Sequence, residues 1–130
     1  MKEHELAEDK HQSRLITWCR QNRIFIFAIA NQQPMSACCE TSVIKRILRK
    51  LFKLGLEDGM PDLMMPIPSN GFHGLFIEMK ASTGKLRDRQ IVLLCWLKDR
   101  GYKTATCHSF EEAKAEIKSY LNMKEPLLHN

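Results

Sequence analysis

No feature of this 130-residue chain restricts its fold more tightly than Asn70-Gly71, set between the stretches Asp62 to Pro66 and Gly74 to Lys80. Asn-Gly accepts the two successive positive φ angles of a tight hairpin turn. The flanking stretches are therefore expected to pair as antiparallel strands. Folding symmetrically about the turn pairs Pro66 with Gly74 and Asp62 with Glu78. Directly opposed residues have Cβ atoms about 4.5–5.5 Å apart. Two carboxylates that close repel each other unless a cation or a proton lies between them.

The strand that carries Glu78 sharpens the point. In Gly74-Leu75-Phe76-Ile77-Glu78-Met79-Lys80, alternate residues share a face. Phe76, Glu78 and Lys80 point one way, Ile77 and Met79 the other. A divalent metal is the natural occupant between Asp62 and Glu78, and hard Mg²⁺ prefers carboxylate and water oxygens. A lysine beside it can orient a water and stabilise charge building on a phosphate. Asp62, Glu78 and Lys80 thus make a phosphodiester-hydrolysis set. A plain Glu78–Lys80 surface pair is the bland alternative, and for three residues alone the two readings weigh equally.

The remaining elements follow from periodicity. Residues 3–21 read as an amphipathic helix, with Leu15, Ile16 and Cys19 on one face. Glu8 and Gln12 continue that stripe, so they are expected to need polar partners inside. Ile24 to Ala30 reads as a buried strand, and residues 31–41, with Pro34, as a loop. Residues 42–54 form a second helix, with Ser42 as its N-cap and Gly55 past its end. Its apolar stripe is Ile44, Ile47, Leu48 and Leu51; Lys45, Arg46, Arg49, Lys50 and Lys53 form the opposite face, without an acid among them. Residues 86–100 make a third helix, whose inward stripe includes Gln90 and Leu94. Thr104 to His108 is a strand, and the last helix is capped by Ser109 with Glu112 three positions on. Gly74 to His108 is then a strand–helix–strand unit, expected to be a right-handed parallel crossover. One domain, 1–130, is expected from this length.

Charge and cysteine content narrow the setting. The formal net charge of +5 favours polyanionic partners. Five cysteines, an odd number without a CxxC pair, argue against a disulfide framework or a zinc knuckle. Cys19, Cys95 and Cys107 read as core packing; Cys38-Cys39 has no functional account. His4, His11, His73, His108 and His129 lack ligand spacing, and His73 reads as a turn residue. Trp18 and Trp96 read as core or interface, and Met60, Met64, Met65 and Met79 as core filler. The charged opening MKEHELAEDKHQ is not a signal peptide, and the longest apolar run is too short to span a bilayer, so a cytoplasmic protein is expected.

Taken in order, Glu8-x-x-x-Gln12, Phe27-Ala28-Ile29-Ala30-Asn31, Gly59-Met60-Pro61-Asp62-Leu63, Gly74 to Lys80, Gly84, Gln90 and Gly101-Tyr102 resemble the VRR-NUC domain. These are the virus-type replication-repair nucleases of the PD-(D/E)xK superfamily, and the resemblance covers nearly the whole chain. It implies an α/β restriction-endonuclease-like core, a mixed central sheet flanked by helices. It implies Mg²⁺- or Mn²⁺-dependent cleavage of DNA in replication, repair or recombination. Asp62 and Glu78 match the metal carboxylates, helped by the Met79 backbone carbonyl. Lys80 matches the catalytic lysine, Glu8 the helix-borne acid that completes the metal site, and Gln90 the glutamine after the motif. Ala30 departs from the family's usual proline before Asn31, which alters a loop entrance and not the chemistry. In this context the basic face of the second helix, and Lys85, Arg87 and Arg89, are expected to hold the DNA backbone. Stand-alone members resemble homodimers acting on four-way junctions, so a homodimer on branched DNA is expected. No small-molecule cofactor and no membrane are expected. The rival readings are a non-catalytic nucleic-acid-binding module and a nuclease of restriction-type or RNA specificity.

Overall fold

The computed structural model describes residues 3–30 and 42–123. Their order is α1 (Glu3–Gln21), β1 (Phe27–Ala28), α2 (Ser42–Lys53), β2 (Leu63–Met65), β3 (Leu75–Met79), α3 (Asp88–Asp99), β4 (Lys103–Cys107) and α4 (Phe110–Tyr120). The expected loop over 31–41, with Asn31, Pro34, Cys38 and Cys39, lies outside the described residues, as does His129. The four strands form one sheet in the order β1-β2-β3-β4. The first two pairings are antiparallel and β3–β4 is parallel.

The hairpin forms in the expected register. Leu63 faces Ile77, Met64 faces Phe76 and Met65 faces Leu75. Asn70 (φ 52°) and Gly71 (φ 83°) supply the two positive angles. Ser69 and Phe72 exchange both backbone hydrogen bonds around them, at 3.1 and 2.9 Å. The ladder is interrupted between the turn and Met65, where Pro66 and Pro68 have no N–H to give.

Alternation on β3 sorts the two faces of the sheet. Leu75, Ile77 and Met79 join Leu63, Met65 and Cys107 in a core completed by Leu15 and Cys19 of α1 and by Ala113, Ile117 and Tyr120 of α4. Phe76, Glu78 and Lys80 lie on the opposite face, where α3 brings Gln90, Leu94 and Leu97 inward. The start of α4 is capped by its own Ser109 and tied to the middle of α1 by His11. Ser109 Oγ accepts from the Glu112 amide at 3.1 Å, and His11 Nδ1 accepts from the Phe110 amide at 2.9 Å.

Two expectations about apolar segments are corrected. Ile24 to Ala30 is not a buried strand: only Phe27–Ala28 pairs, both residues are exposed, and Phe25 is 64% exposed. Among the described residues it is the edge of the sheet, with a strand neighbour on one side, and burial is confined to Ile24 and partly to Ile26 and Ile29. The stripe of α2 does not face the core either. Ile44, Leu48 and Leu51 are half-buried, Val43, Ile47 and Phe52 are exposed, and no residue of the helix is buried. The physical reason is room: α1 and α4 already cover one face of a short-stranded sheet and α3 the other. Ser42 is the first residue of α2 rather than its cap. Gly55, at φ 110°, ends the helix as expected, with the Leu56 amide reaching back to Leu51 O at 2.9 Å.

Smaller points divide similarly. Cys19 and Cys107 are buried, and burial pushes their thiols up to about 11 and about 12. Cys95 is exposed on α3, against expectation. Trp96 is 50% exposed with the Arg100 guanidinium stacked 3.9 Å from its ring centroid, so it is not core. Trp18 packs against the core. Met65 and Met79 are buried, Met60 and Met64 half-buried. Among the described residues no helix is long and apolar enough to cross a membrane.

Candidate active site

Glu78 sits near the end of the central strand β3 and is 3% exposed. Asp62 lies one residue before β2, on the same side of the sheet by the hairpin register. Its Oδ2 accepts from the Met79 amide at 2.7 Å. The two carboxyls lie close enough to act on each other's titration. Burial raises both. Glu78 is pushed up to about 8, first by burial and then by the Asp62 charge, with Lys80 opposing. Asp62 is raised by burial, against the Met79 amide and the bond with Glu78, which lower it.

Lys80 leaves β3 on the same face as Glu78. It is 9% exposed, with Nζ 3.8 Å from Glu78 Oε1. A plain surface pair is thereby excluded, since both side chains are withdrawn from solvent. Gln90, 3% exposed, bridges the site to α3. Its Nε2 donates to Glu78 Oε1 at 2.9 Å, while its Oε1 accepts from the Arg87 amide at 2.8 Å. Both ends of the amide are therefore fixed, and Glu78 has a donor that holds its orientation.

Glu8 reaches the same end of β3 from α1. Its Oε1 accepts from the Ala81 amide at 3.0 Å, and its charge adds to the field at both Asp62 and Glu78. The structure thus brings together Glu8, Asp62, Glu78, Lys80 and Gln90. Met79 touches Asp62 through its amide N–H. Gln12 is half-buried and lines a shallow cleft of α1 with Asp9, Ser13, Ile16, Thr17 and Arg20. His73 lies apart, its ring packed edge-on to Tyr102 at 5.7 Å.

The donor set fits a hard cation. Among the described residues no three His, Cys, Asp or Glu side chains are grouped so as to hold a metal ion together. Mg²⁺ does not need such a group, because it keeps several waters and binds through one or two carboxylates. Two neighbouring carboxyls, Glu78 buried and Asp62 half-buried, concentrate the negative charge that such an ion relieves.

The expected DNA-facing residues behave in two ways. Lys45, Arg46, Arg49, Lys50 and Lys53 of α2 are exposed, as is Lys85. Arg87 and Arg89 are already engaged: Arg87 Nη2 lies 3.4 Å from Asp58 Oδ1, and Arg89 Nη2 lies 3.1 Å from Glu57 Oε2. Sequence reasoning missed Glu57 and Asp58. The available signal was their place just before the Gly59-Met60-Pro61-Asp62 run. It also missed the Ala81 amide as the partner of Glu8, which no side-chain pattern marks.

With this geometry in view, comparison with known proteins is informative. The model of the VRR-NUC domain matches residues 6–111. A solved structure described as a VRR_NUC domain protein superposes with a TM-score of 0.73 at 19% identity, covering 92% of this chain and 91% of that one. That likeness shows the fold, a mixed α/β core consistent with the PD-(D/E)xK-like architecture expected above. Comparison with the curated proteins finds no match.

Proposed function

Because the chain belongs to the VRR-NUC domain family, a family of nuclease type, we propose that it hydrolyses DNA phosphodiester bonds at Asp62, Glu78 and Lys80, with Mg²⁺ or Mn²⁺. The observation that carries this reading is buried Glu78 beside half-buried Asp62, with Lys80 next to it and Gln90 fixing Glu78. Asp62 and Glu78 would hold the ion, with Glu8 and the Met79 carbonyl completing its surroundings. When bound, the ion lowers the pKa of its water and polarises a phosphoryl oxygen.

The chain's own groups do the rest. Asp62 and Glu78 would offer their carboxylate oxygens to the cation, whose charge offsets their mutual repulsion. Lys80, withdrawn from solvent, faces the reacting phosphate and stabilises the charge that builds there. Gln90 keeps the Glu78 carboxylate from turning away. The exposed bases of α2 and Lys85 track the DNA backbone. Arg87 and Arg89 are tied inward by their acids, so we assign them no phosphate contact.

The substrate class we favour is branched DNA of the kind met in replication, repair or recombination, cut by a homodimer. One chain carries one such site, and paired cuts on opposite strands need two. A twofold pair is the commonest way to supply them. The buried thiols Cys19 and Cys107 are compatible with a reducing, cytoplasmic setting.

The deciding experiment incubates the protein with four-way junction, flap, linear duplex and RNA substrates, with Mg²⁺, with Mn²⁺ and with chelator. Metal-dependent cleavage favouring the junction is expected, with a dimer mass by light scattering. Undiminished cleavage in chelator refutes the metal site. Metal-independent binding to every substrate without cleavage makes the chain a binding module.

A further inference from the structure

The loop before Asp62 and the first turn of α3 are fastened to each other. Arg87 pairs with Asp58 at 3.4 Å and Arg89 with Glu57 at 3.1 Å, while Arg89 Nε donates to Asp58 O at 3.3 Å. The stem of Arg89 lies across Gly59, where a Cβ would meet Arg89 Cγ at 2.6 Å. Gly59 also has φ 86°, so it admits this approach on two counts.

What the fastening joins is specific. Residues 57–59 lead within three residues into Asp62. Arg87 and Arg89 flank the start of the helix whose Gln90 holds Glu78. The Arg87 amide is itself bound by Gln90 Oε1. The loop that carries Asp62 and the helix that carries Gln90, the partner of Glu78, are thus joined by the two acid–arginine pairs.

We propose that Glu57–Arg89 and Asp58–Arg87 are positioning pairs that steady the Asp62 loop against the Gln90 helix and so tune the affinity of the site for a divalent cation. The inference rests on the nuclease reading above. All four side chains are partly exposed, and exposed ion pairs contribute little to folding. Their effect is therefore felt at the carboxyls and not in overall stability. Outer partners that orient metal ligands typically change affinity by about 10–100-fold when removed.

Titration of the metal-free full chain with Mn²⁺, read by electron paramagnetic resonance, measures the site without turnover. Wild-type protein should bind the ion; failure to do so refutes the nuclease reading itself. Glu57→Gln combined with Asp58→Asn should weaken Mn²⁺ binding by about tenfold or more, with the circular-dichroism melt little changed. Asp58→Arg combined with Arg87→Asp rebuilds one tie with reversed charge and should recover affinity relative to Arg87→Asp alone. Should the double neutralisation not fold, Glu57→Gln alone carries the same expectation with a smaller loss. Equal Mn²⁺ affinity in wild type and the folded variants overturns the proposal. So does an Arg87→Ala variant that loses DNA binding while keeping wild-type metal affinity, because that assigns Arg87 to the DNA backbone.

Discussion

Replacing Glu78 with glutamine should stabilise the metal-free protein in alkaline solution while abolishing its response to metal. The carboxyl is raised from 4.5 to about 8, chiefly by burial and the neighbouring Asp62 charge. A carboxyl raised on folding favours the native state below its unfolded value of 4.5. It withdraws that support as pH climbs through about 8. At about 1.4 kcal/mol per pH unit the full swing amounts to about 5 kcal/mol. Glutamine keeps an oxygen for Gln90 but still buries a polar amide and gives up the attraction of Lys80, so a net gain of about 2 kcal/mol is expected. For a chain this size that raises Tm by about 6–10 °C. Thermal melts in chelator at about pH 5 and about pH 9 read the effect: wild type and variant should nearly coincide in acid and separate in base. Adding Mg²⁺ at the higher pH should lift the wild type alone, by mass action on the native state. A Tm difference that does not change with pH would refute the reasoning, because the benefit would then have nothing to do with charge at residue 78.

Three further outcomes are expected. Lys80→Ala should lower cleavage by about 10²–10³-fold while DNA affinity, measured with Ca²⁺ in place of Mg²⁺, stays near wild type; near-normal turnover would make Lys80 structural. Neutralising Lys45, Arg46, Arg49 and Lys50 should weaken binding to all sequences alike and flatten the plot of log affinity against log salt by about 0.9 per lost phosphate contact. Gly101→Ala should destabilise by about 1–3 kcal/mol in a denaturant titration, since Gly101 has φ 93° and a Cβ there would lie 2.7 Å from His73 Cδ2; an unchanged midpoint would mean the ring simply moves aside.

The parts legible in the sequence were those fixed by local chemistry. Asn70-Gly71 dictated the turn, the turn set the register, and the register brought Asp62 to Glu78. Ser109 and Glu112 likewise marked the start of α4. What stayed hidden was what depends on which surface an element finds. Ile24 to Ala30 has the composition of a buried strand, but composition does not say that the strand is an edge. The alternation of bases and apolar residues in α2 predicts a helix correctly; it does not predict that both faces of the sheet are already covered. Contacts to the backbone, such as Glu8 to the Ala81 amide, leave no trace in side-chain spacing. Arg87 and Arg89 show the converse: their charge was plain in the sequence, and their pairing with Asp58 and Glu57 was not.

The ties made by α1 also bear on the order in which the site is built during folding. Asp62 meets Met79 across 17 residues and Gln90 meets Glu78 across 12, so the hairpin and the helix after it close short loops. Glu8 reaches Ala81 across 73 residues and His11 reaches Phe110 across 99. Loop-closure entropy grows with such separations, and non-local contacts slow the approach to the transition state. The acid–acid–lysine cluster should therefore assemble first, with α1 docking afterwards. Replacing His11 with alanine should then raise the unfolding rate and leave the folding rate nearly unchanged, the signature of an interaction formed after the barrier. Stopped-flow measurement of both limbs would show it, and a slowed folding limb would place α1 in the nucleus instead.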